Sequence, residues 1–131
     1  MISTPAARRA AVLTHPPAAE QMAALIPFAD RHPDMKLILA HLGSVAHVDA
    51  MVRAANGNIL TDTSGIASSK NNVVEYAVER AGADRILFGT DTYAPGFQRG
   101  RIEYARIPDA DKIRILRDNA LRLFPKLSGK E

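Results

Sequence analysis

A parallel α/β fold is predicted by three features of this 131-residue chain. Short apolar runs end on polar residues, helix-period segments lie between them, and that strand-helix unit repeats along the length. Apolar runs this short, bounded by Pro, Gly and Asn, suit strands buried on both faces, as parallel sheets require.

The first run, AAVLTH, spans Ala10 to His15. Behind it Met22, Leu25, Ile26 and Ala29 keep the spacing of an amphipathic helix, which Pro27 is expected to kink or divide. The second run, MKLILAHLG, passes through His41 to Gly43. Val45, Val48, Met51, Val52 and Ala55 form the next helical stripe, stopped at Asn56-Gly57. NILTDTSG is the third run, followed by Val73, Val74, Ala77, Val78 and Ala81 on a helix that closes at Gly82. The fourth run, DRILFGTD, ends on Asp91. A terminal helix from Ala110 to Phe124 is expected to present Ile113, Leu116, Ala120, Leu121 and Phe124 on one face.

Strand ends fall near His15, His41, Asp62 to Ser64 and Asp91, so one unit recurs roughly every 22 to 29 residues. A doubly wound sheet and a (β/α)8 barrel both fit that period. The doubly wound alternative lacks a ligand signature, because neither G-x-G-x-x-G nor G-x-x-x-x-G-K-[ST] occurs. A complete barrel takes about 250 residues, so four units predict half of a TIM (β/α)8 barrel, forming a single domain over residues 1–131.

Composition narrows the function classes. With 17 Lys+Arg against 14 Asp+Glu and scattered basic residues, no nucleic-acid partner is expected. No segment reads as a signal peptide or a membrane span, so a soluble, cytoplasmic protein with no membrane partner is expected. Cysteine is absent, which leaves His, Asp, Glu and water as the possible metal ligands.

In (β/α)8 barrels chemistry collects at the C-terminal ends of the strands, where side chains point into a shared bowl. Three of the four predicted strands end on His15, His41 and Asp91, each able to bind a metal or move a proton. Imidazole and carboxylate are the ligands that hold Zn²⁺ with an open position. The Asp91 carboxylate is expected to be buried with a cation beside it, since an unpaired buried charge is costly.

VLTHPP, HPDMKLILAHLGS, NILTDTSG and GADRILFGTDTY resemble the second half of the amidohydrolase-related family of metal-dependent TIM-barrel hydrolases and decarboxylases. The closing DADKIRILRDNALRLF is similar to that family's terminal helix, and the resemblance runs from about Ala10 to Phe124. It implies that the chain is the C-terminal (βα)4 half of such a barrel, acting on a small-molecule amide, ester, lactone or aryl carboxylate. It also implies a divalent metal cofactor, Zn²⁺ in first place with Mn²⁺ as the alternative. By the same resemblance His15 would be a metal ligand. His41 would be a catalytic acid or base, or a second-metal ligand. Asp91 would touch the metal and pass protons to or from the attacking water. The family's N-terminal H-x-H pair has no counterpart among the four histidines, 15, 32, 41 and 47.

Other residues carry plainer expectations. His32 reads as structural at a helix end, His47 as a solvated helix position, and Asp62 and Thr63 as a hydrogen-bonded strand end. The segment TYAPGFQRGR after Asp91 is expected to be a loop acting as a flap, with Arg99 or Arg101 able to pair with a substrate carboxylate. Arg114, Arg117 and Arg122 read as outer barrel surface. An open half-barrel exposes two strand edges and an apolar inner face, so a homo-oligomer or a complementing N-terminal half is expected. The competing reading is a non-catalytic half-barrel that folds only by assembling. A small doubly wound binding domain is a third.

Overall fold

The computed structural model describes residues 11–15, 18–70, 72–92 and 94–129. Ala10, which opens the first expected strand, and Tyr93, within the expected flap, lie outside the described residues. Four parallel strands stand in chain order: β1 (Ala11–Thr14), β2 (Lys36–Leu39), β3 (Ile59–Asp62) and β4 (Ile86–Leu87). Between them run α1 (Ala19–Arg31), α2 (Val45–Arg53) and α3 (Val73–Ala81). Beyond β4 come α4 (Pro95–Glu103), α5 (Asp109–Ile113) and α6 (Asn119–Leu123).

Side-chain alternation along the strands separates two layers. Leu37, Leu39, Ile59 and Ile86 pack with Met22, Ile26 and Ala29 of α1, Val48 and Met51 of α2, and Val74 and Ala77 of α3. Ile38, Leu60 and Leu87 make a separate cluster on the other face. Strands in sequence order with these three helices on one face form a barrel wall. A doubly wound sheet reverses strand order and carries helices on both faces. The sheet is therefore half of a (β/α)8 barrel.

Three expectations need correction. Pro27 does not divide α1, which continues to Arg31. Burial of Met22, Ile26 and Ala29 holds it against the sheet. On α2, Val45 and Val52 face solvent and Ala54, rather than Ala55, turns inward. The terminal helix shows the largest difference: Ile115 and Asn119 are buried, whereas Ile113 and Phe124 are exposed. The physical reason is a π turn over Arg114–Asp118 between α5 and α6, which puts the helix out of its regular phase.

That turn serves the sheet. Thr63 N–H donates to Leu87 O on the β3 side of β4, so the Ile86 carbonyl and the Phe88 amide point to the opposite edge. Phe88 N–H donates to Ile115 O at 3.1 Å. The Asn119 amide donates to Ile86 O at 2.8 Å and to Ala83 O at 2.7 Å. The outer edge of β4 is thus capped by the chain's own terminal helix. Ala120 and Leu123 of α6 also pack on Ile38, Leu60 and Leu87, which are only 5–6% exposed. The expectation of two open edges is corrected accordingly, and that of an exposed inner face only in part, because Leu13, paired with Ile38 on this face, stays 62% exposed. Among the described residues only β1 keeps an unpaired outer edge.

Asn119→Ala removes both side-chain donations and leaves the Ile86 carbonyl unpaired at the β4 edge, while Ala83 O keeps the Ile86 N–H. Loss of about 1–3 kcal/mol is expected, the cost of one buried group left unpaired. Urea unfolding of the parent and the variant measures it, and a change under about 0.5 kcal/mol would show that the edge cap is dispensable.

Candidate functional site

Beyond the last paired residue of β2 the backbone enters the left-handed region at His41, with φ 62°. Asp91, four residues past the end of β4, does the same at φ 53°. Among the described residues these are the two non-glycine positions in the left-handed region. A side chain with a Cβ pays about 1 kcal/mol or more to sit there, so the surrounding structure must hold it. Strain of this kind concentrates at functional sites.

The holding contacts come from β3 and α2. Asp62 Oδ1 accepts the His41 backbone N–H at 3.3 Å, the Ser64 N–H at 2.8 Å and the Ser64 hydroxyl in a very short bond. The Asp62 carbonyl accepts Leu42 N–H at 2.8 Å. On the other side of His41, His47 Nε2–H donates to Ala40 O at 3.1 Å. A carbonyl can only accept, so the His47 proton sits on Nε2 and Nδ1 takes a bond from the Ser44 hydroxyl at 3.1 Å. His47 is therefore a buried structural group and not the solvated helix position expected. Burial is the main cause that lowers its pKa below the ordinary 6.5; a nearby His41 adds to this, while Ala40 O and Asp62 oppose it.

The His41 ring lies in a bed shaped by the β3 loop. Nδ1 faces Ser64 Oγ at 2.8 Å and Ser64 O at 3.1 Å. Gly65 passes behind it with φ 70°, and a Cβ there would lie 2.8 Å from Nδ1. Nε2 faces Asp91 Oδ2 at 3.9 Å. The His15 ring meets the His41 ring edge-on, with centroids 4.2 Å apart and planes at 88°. The three residues singled out from the sequence, His15, His41 and Asp91, are thus brought together at the C-terminal ends of the strands. His15 and His41 line a cavity of about 290 Å³ with Met22, Gly43 and Ser44. A cavity of about 500 Å³ at the other end of the strands, lined by Lys36, Leu60, Arg85 and Asn119, lies far from these groups.

Asp91 departs from expectation in one respect. Its side chain is 39% exposed, so its charge is solvated and does not require a cation for burial. The four strands wall only one side of the bowl. The donor set, two imidazoles and a carboxylate, has the chemistry for a divalent ion. Among the described residues, however, no three His, Asp or Glu side chains are gathered closely enough to hold one. The residues present do not complete a metal site on this chain.

The expected flap is a helix. Pro95 occupies the first turn of α4, and burial of Gln98 and Ile102 outweighs the helix-weakening Gly96 and Gly100. Arg99 pairs with Glu103 at 2.7 Å on the exposed side. Arg101 is half-buried and donates to Gln98 Oε1 at 2.6 Å, while Gln98 Nε2 donates to Gly65 O at 3.1 Å. Arg101 therefore connects through Gln98 to the backbone behind His41, and Arg99 does not. Sequence reading missed Ser64 and Gln98 as parts of the site. The Asp-x-Ser-Gly spelling of the β3 loop, which favours side-chain bonding to the local backbone, was the available signal for Ser64.

Two predictions test this geometry. Gly65→Ala forces a Cβ onto the His41 ring and adds backbone strain. It should displace the imidazole and cost about 1–3 kcal/mol, read from His41 NMR shifts and urea unfolding. Since the His47 pKa is lowered in the folded state, the unfolded chain binds more protons below pH 6.5. Stability should be full above that value and fall as pH drops below it. His47→Gln should remove that component of the pH dependence, measured as the difference between the two stability–pH curves.

Comparison with known proteins adds independent findings. A γ-resorcylate decarboxylase of Rhizobium radiobacter is 31% identical over 124 aligned residues, covering 77% of this chain and 37% of the relative. The crystal structure of a 2,6-dihydroxybenzoate decarboxylase complexed with 2,6-dihydroxybenzoate matches with a TM-score of 0.68 and 28% identity, over 85% of this chain and 41% of that one. A dihydroxybenzoic acid decarboxylase from a Polaromonas species, with bound manganese and the inhibitor 2-nitroresorcinol, matches at TM-score 0.66 and 27% identity, over 84% of this chain and 40% of that one. The chain thus spans roughly two fifths of the length of these relatives. The family model described as amidohydrolase matches residues 6–126, nearly the whole sequence, and the chain belongs to the amidohydrolase family.

Proposed function

We propose that this chain is one domain over residues 1–131, the C-terminal (βα)4 half of a metal-dependent amidohydrolase-family decarboxylase acting on a hydroxylated aromatic carboxylic acid. The observation that carries the reading is the convergence of His15, His41 and Asp91 at the strand ends, with His41 and Asp91 both on strained backbone. The relatives named for dihydroxybenzoate decarboxylation support the substrate class. The manganese in one of them supports a divalent ion, Mn²⁺ or Zn²⁺. His15 and Asp91 are this chain's share of the ligands, and the remainder must come from outside the described residues.

Such an ion, when bound, supplies Lewis-acid activation. The work of this chain's own residues follows from geometry. Loss of CO2 from an aryl carboxylate breaks a C–C bond whose electron pair must take a proton at the ring carbon. His41 Nε2 and Asp91 Oδ2, 3.9 Å apart and both facing the bowl, are placed to hold and pass that proton. Arg101, tied to Gln98 beside Gly65, is better placed than Arg99 to meet a substrate carboxylate.

The unpaired edge of β1, with Leu13 exposed, is the seat for a complementing N-terminal half or a second copy. No helix among the described residues is long and apolar enough to cross a membrane, and cysteine is absent, in keeping with a soluble protein of the cytoplasm. A half-barrel that only assembles, without chemistry, is the competing reading, favoured by the incomplete ligand set.

Titrating Mn²⁺ into the labelled chain decides between them. The paramagnetic ion should broaden resonances at His15, His41 and Asp91 first. His15→Ala and Asp91→Ala should each weaken binding by at least the roughly 10- to 100-fold seen for lost outer-shell partners. Broadening that ignores these residues, or is unchanged in both variants, would remove the metal-dependent reading.

A further inference from the structure

We propose that Asp62 and Ser64 are positioning residues that fix the tautomer of His41, keeping its proton on Nδ1 and turning the Nε2 lone pair toward Asp91. The functional meaning of this arrangement rests on the reading of His41 as a proton carrier; the arrangement itself does not.

Asp62 is buried at the end of β3, and its Oδ1 accepts the Ser64 hydroxyl proton in a very short bond. A hydroxyl has one proton, so with that proton committed Ser64 Oγ can meet His41 Nδ1, at 2.8 Å, only as an acceptor. The Ser64 carbonyl, 3.1 Å from the same nitrogen, is also an acceptor only. Two acceptors facing Nδ1 require the proton there. A neutral imidazole carries one N–H, so Nε2 is left as the lone pair, and it is Nε2 that faces Asp91 Oδ2. In the opposite tautomer Nδ1 would turn a lone pair on the Ser64 carbonyl, two acceptors in contact with no proton between them.

The same Asp62 oxygen accepts the backbone N–H of His41. One carboxylate therefore sets both the left-handed backbone that aims the ring and, through Ser64, the nitrogen that is free. Gly65 and Gly89 keep the relay compact. A Cβ at Gly65 would lie 2.8 Å from His41 Nδ1, and one at Gly89 would lie 3.0 Å from Ser64 Cβ and 3.4 Å from Asp62 Oδ1. For a residue that takes up and returns protons in the bowl, this leaves the basic nitrogen on the substrate side and the bound proton on the protein side.

Long-range ¹H–¹⁵N correlation of the imidazoles in the full-length, ¹⁵N-labelled chain tests the proposal, with His41→Gln used to assign the signals. The measurement is made across a pH series, and the tautomer is read where the imidazole nitrogen shifts no longer change with rising pH. His41 should be predominantly Nδ1–H in the parent chain. Ser64→Ala and Asp62→Ala leave the Ser64 carbonyl as the one fixed acceptor on Nδ1, so each should raise the Nε2–H fraction without abolishing Nδ1–H, and Ser64→Thr, which keeps the hydroxyl, should retain the parent tautomer. Asp62→Asn, whose Oδ1 can accept the same bonds, should also retain it, and it carries the test with Ser64→Ala if Asp62→Ala does not fold.

An Nε2–H tautomer in the parent overturns the proposal. So does an Nδ1–H form undiminished in Ser64→Ala and, where it folds, in Asp62→Ala. A purely structural role for Ser64 would change stability and leave the tautomer alone. The readout needs neither metal nor turnover. A chain that binds no metal yet shows the Nδ1–H form therefore sinks the enzymatic reading and leaves the relay standing, and the reverse result does the opposite.

Discussion

A single carboxylate oxygen organises the strand-end face. Asp62 Oδ1 takes three donors, from the backbone of β2's extension, from the backbone of its own loop and from the Ser64 hydroxyl. A carboxylate buried to this degree is tolerable only when its lone pairs are filled, and here the filling groups are what must be held in place. Remove that acceptor and three donors lose their partner at once. One is the N–H of His41 itself and another the hydroxyl beside its ring, so the left-handed backbone would be held only by the bonds on either side of it, Leu42 N–H to Asp62 O and His47 to Ala40 O. The candidate chemistry is thus mounted on a buried group whose own oxygen is committed to holding its neighbours.

The sheet shows the same economy at its far edge. A parallel half-barrel has two edges, and a short β4 offers few groups with which to pair. The π turn in the terminal helix presents the Ile115 carbonyl to Phe88 N–H, and Asn119 follows to take the Ile86 carbonyl. A regular α-helix would have kept the Ile115 carbonyl in its own ladder and carried Asn119 out of phase. The irregularity is the price of capping a strand with a helix, and the asymmetry that results leaves β1 as the edge open to another strand.

Much of this was legible in the sequence and some was not, for identifiable reasons. The four strands follow from short apolar runs bounded by Pro, Gly and Asn, and the three intervening helices from the 3.6-residue period of their apolar positions. His15, His41 and Asp91 were readable because parallel βα units put strand C-terminal ends at one place. The terminal helix misled because its apolar spacing assumes 3.6 residues per turn throughout, and the π turn breaks that assumption at Arg114–Asp118. His47 was read as solvated because its helix position says nothing of the loop that folds over it; the Ala40 carbonyl is what draws it inside. The flap became a helix because tertiary burial of Ile102 and Gln98 outweighed two glycines, a balance that local propensity cannot report.

The metal question turns on the same geometry. In the described half, the His15 ring meets the His41 ring edge-on, and Asp91 Oδ2 lies 3.9 Å from His41 Nε2. His41 is thus the group that approaches both of the others. Among the described residues no three such side chains gather closely enough to hold one ion, whereas an imidazole beside both a histidine and an acid suits a proton carrier. If Nδ1 of His41 is tied to Ser64, only Nε2 remains to share, and it already looks toward Asp91. An ion bridging His15 and Asp91 needs further donors on the open side of the bowl, where the described residues place none. The wall of the barrel seen here thus prepares proton transfer more completely than it prepares metal binding, and the missing donors must arrive from the side that β1 leaves open.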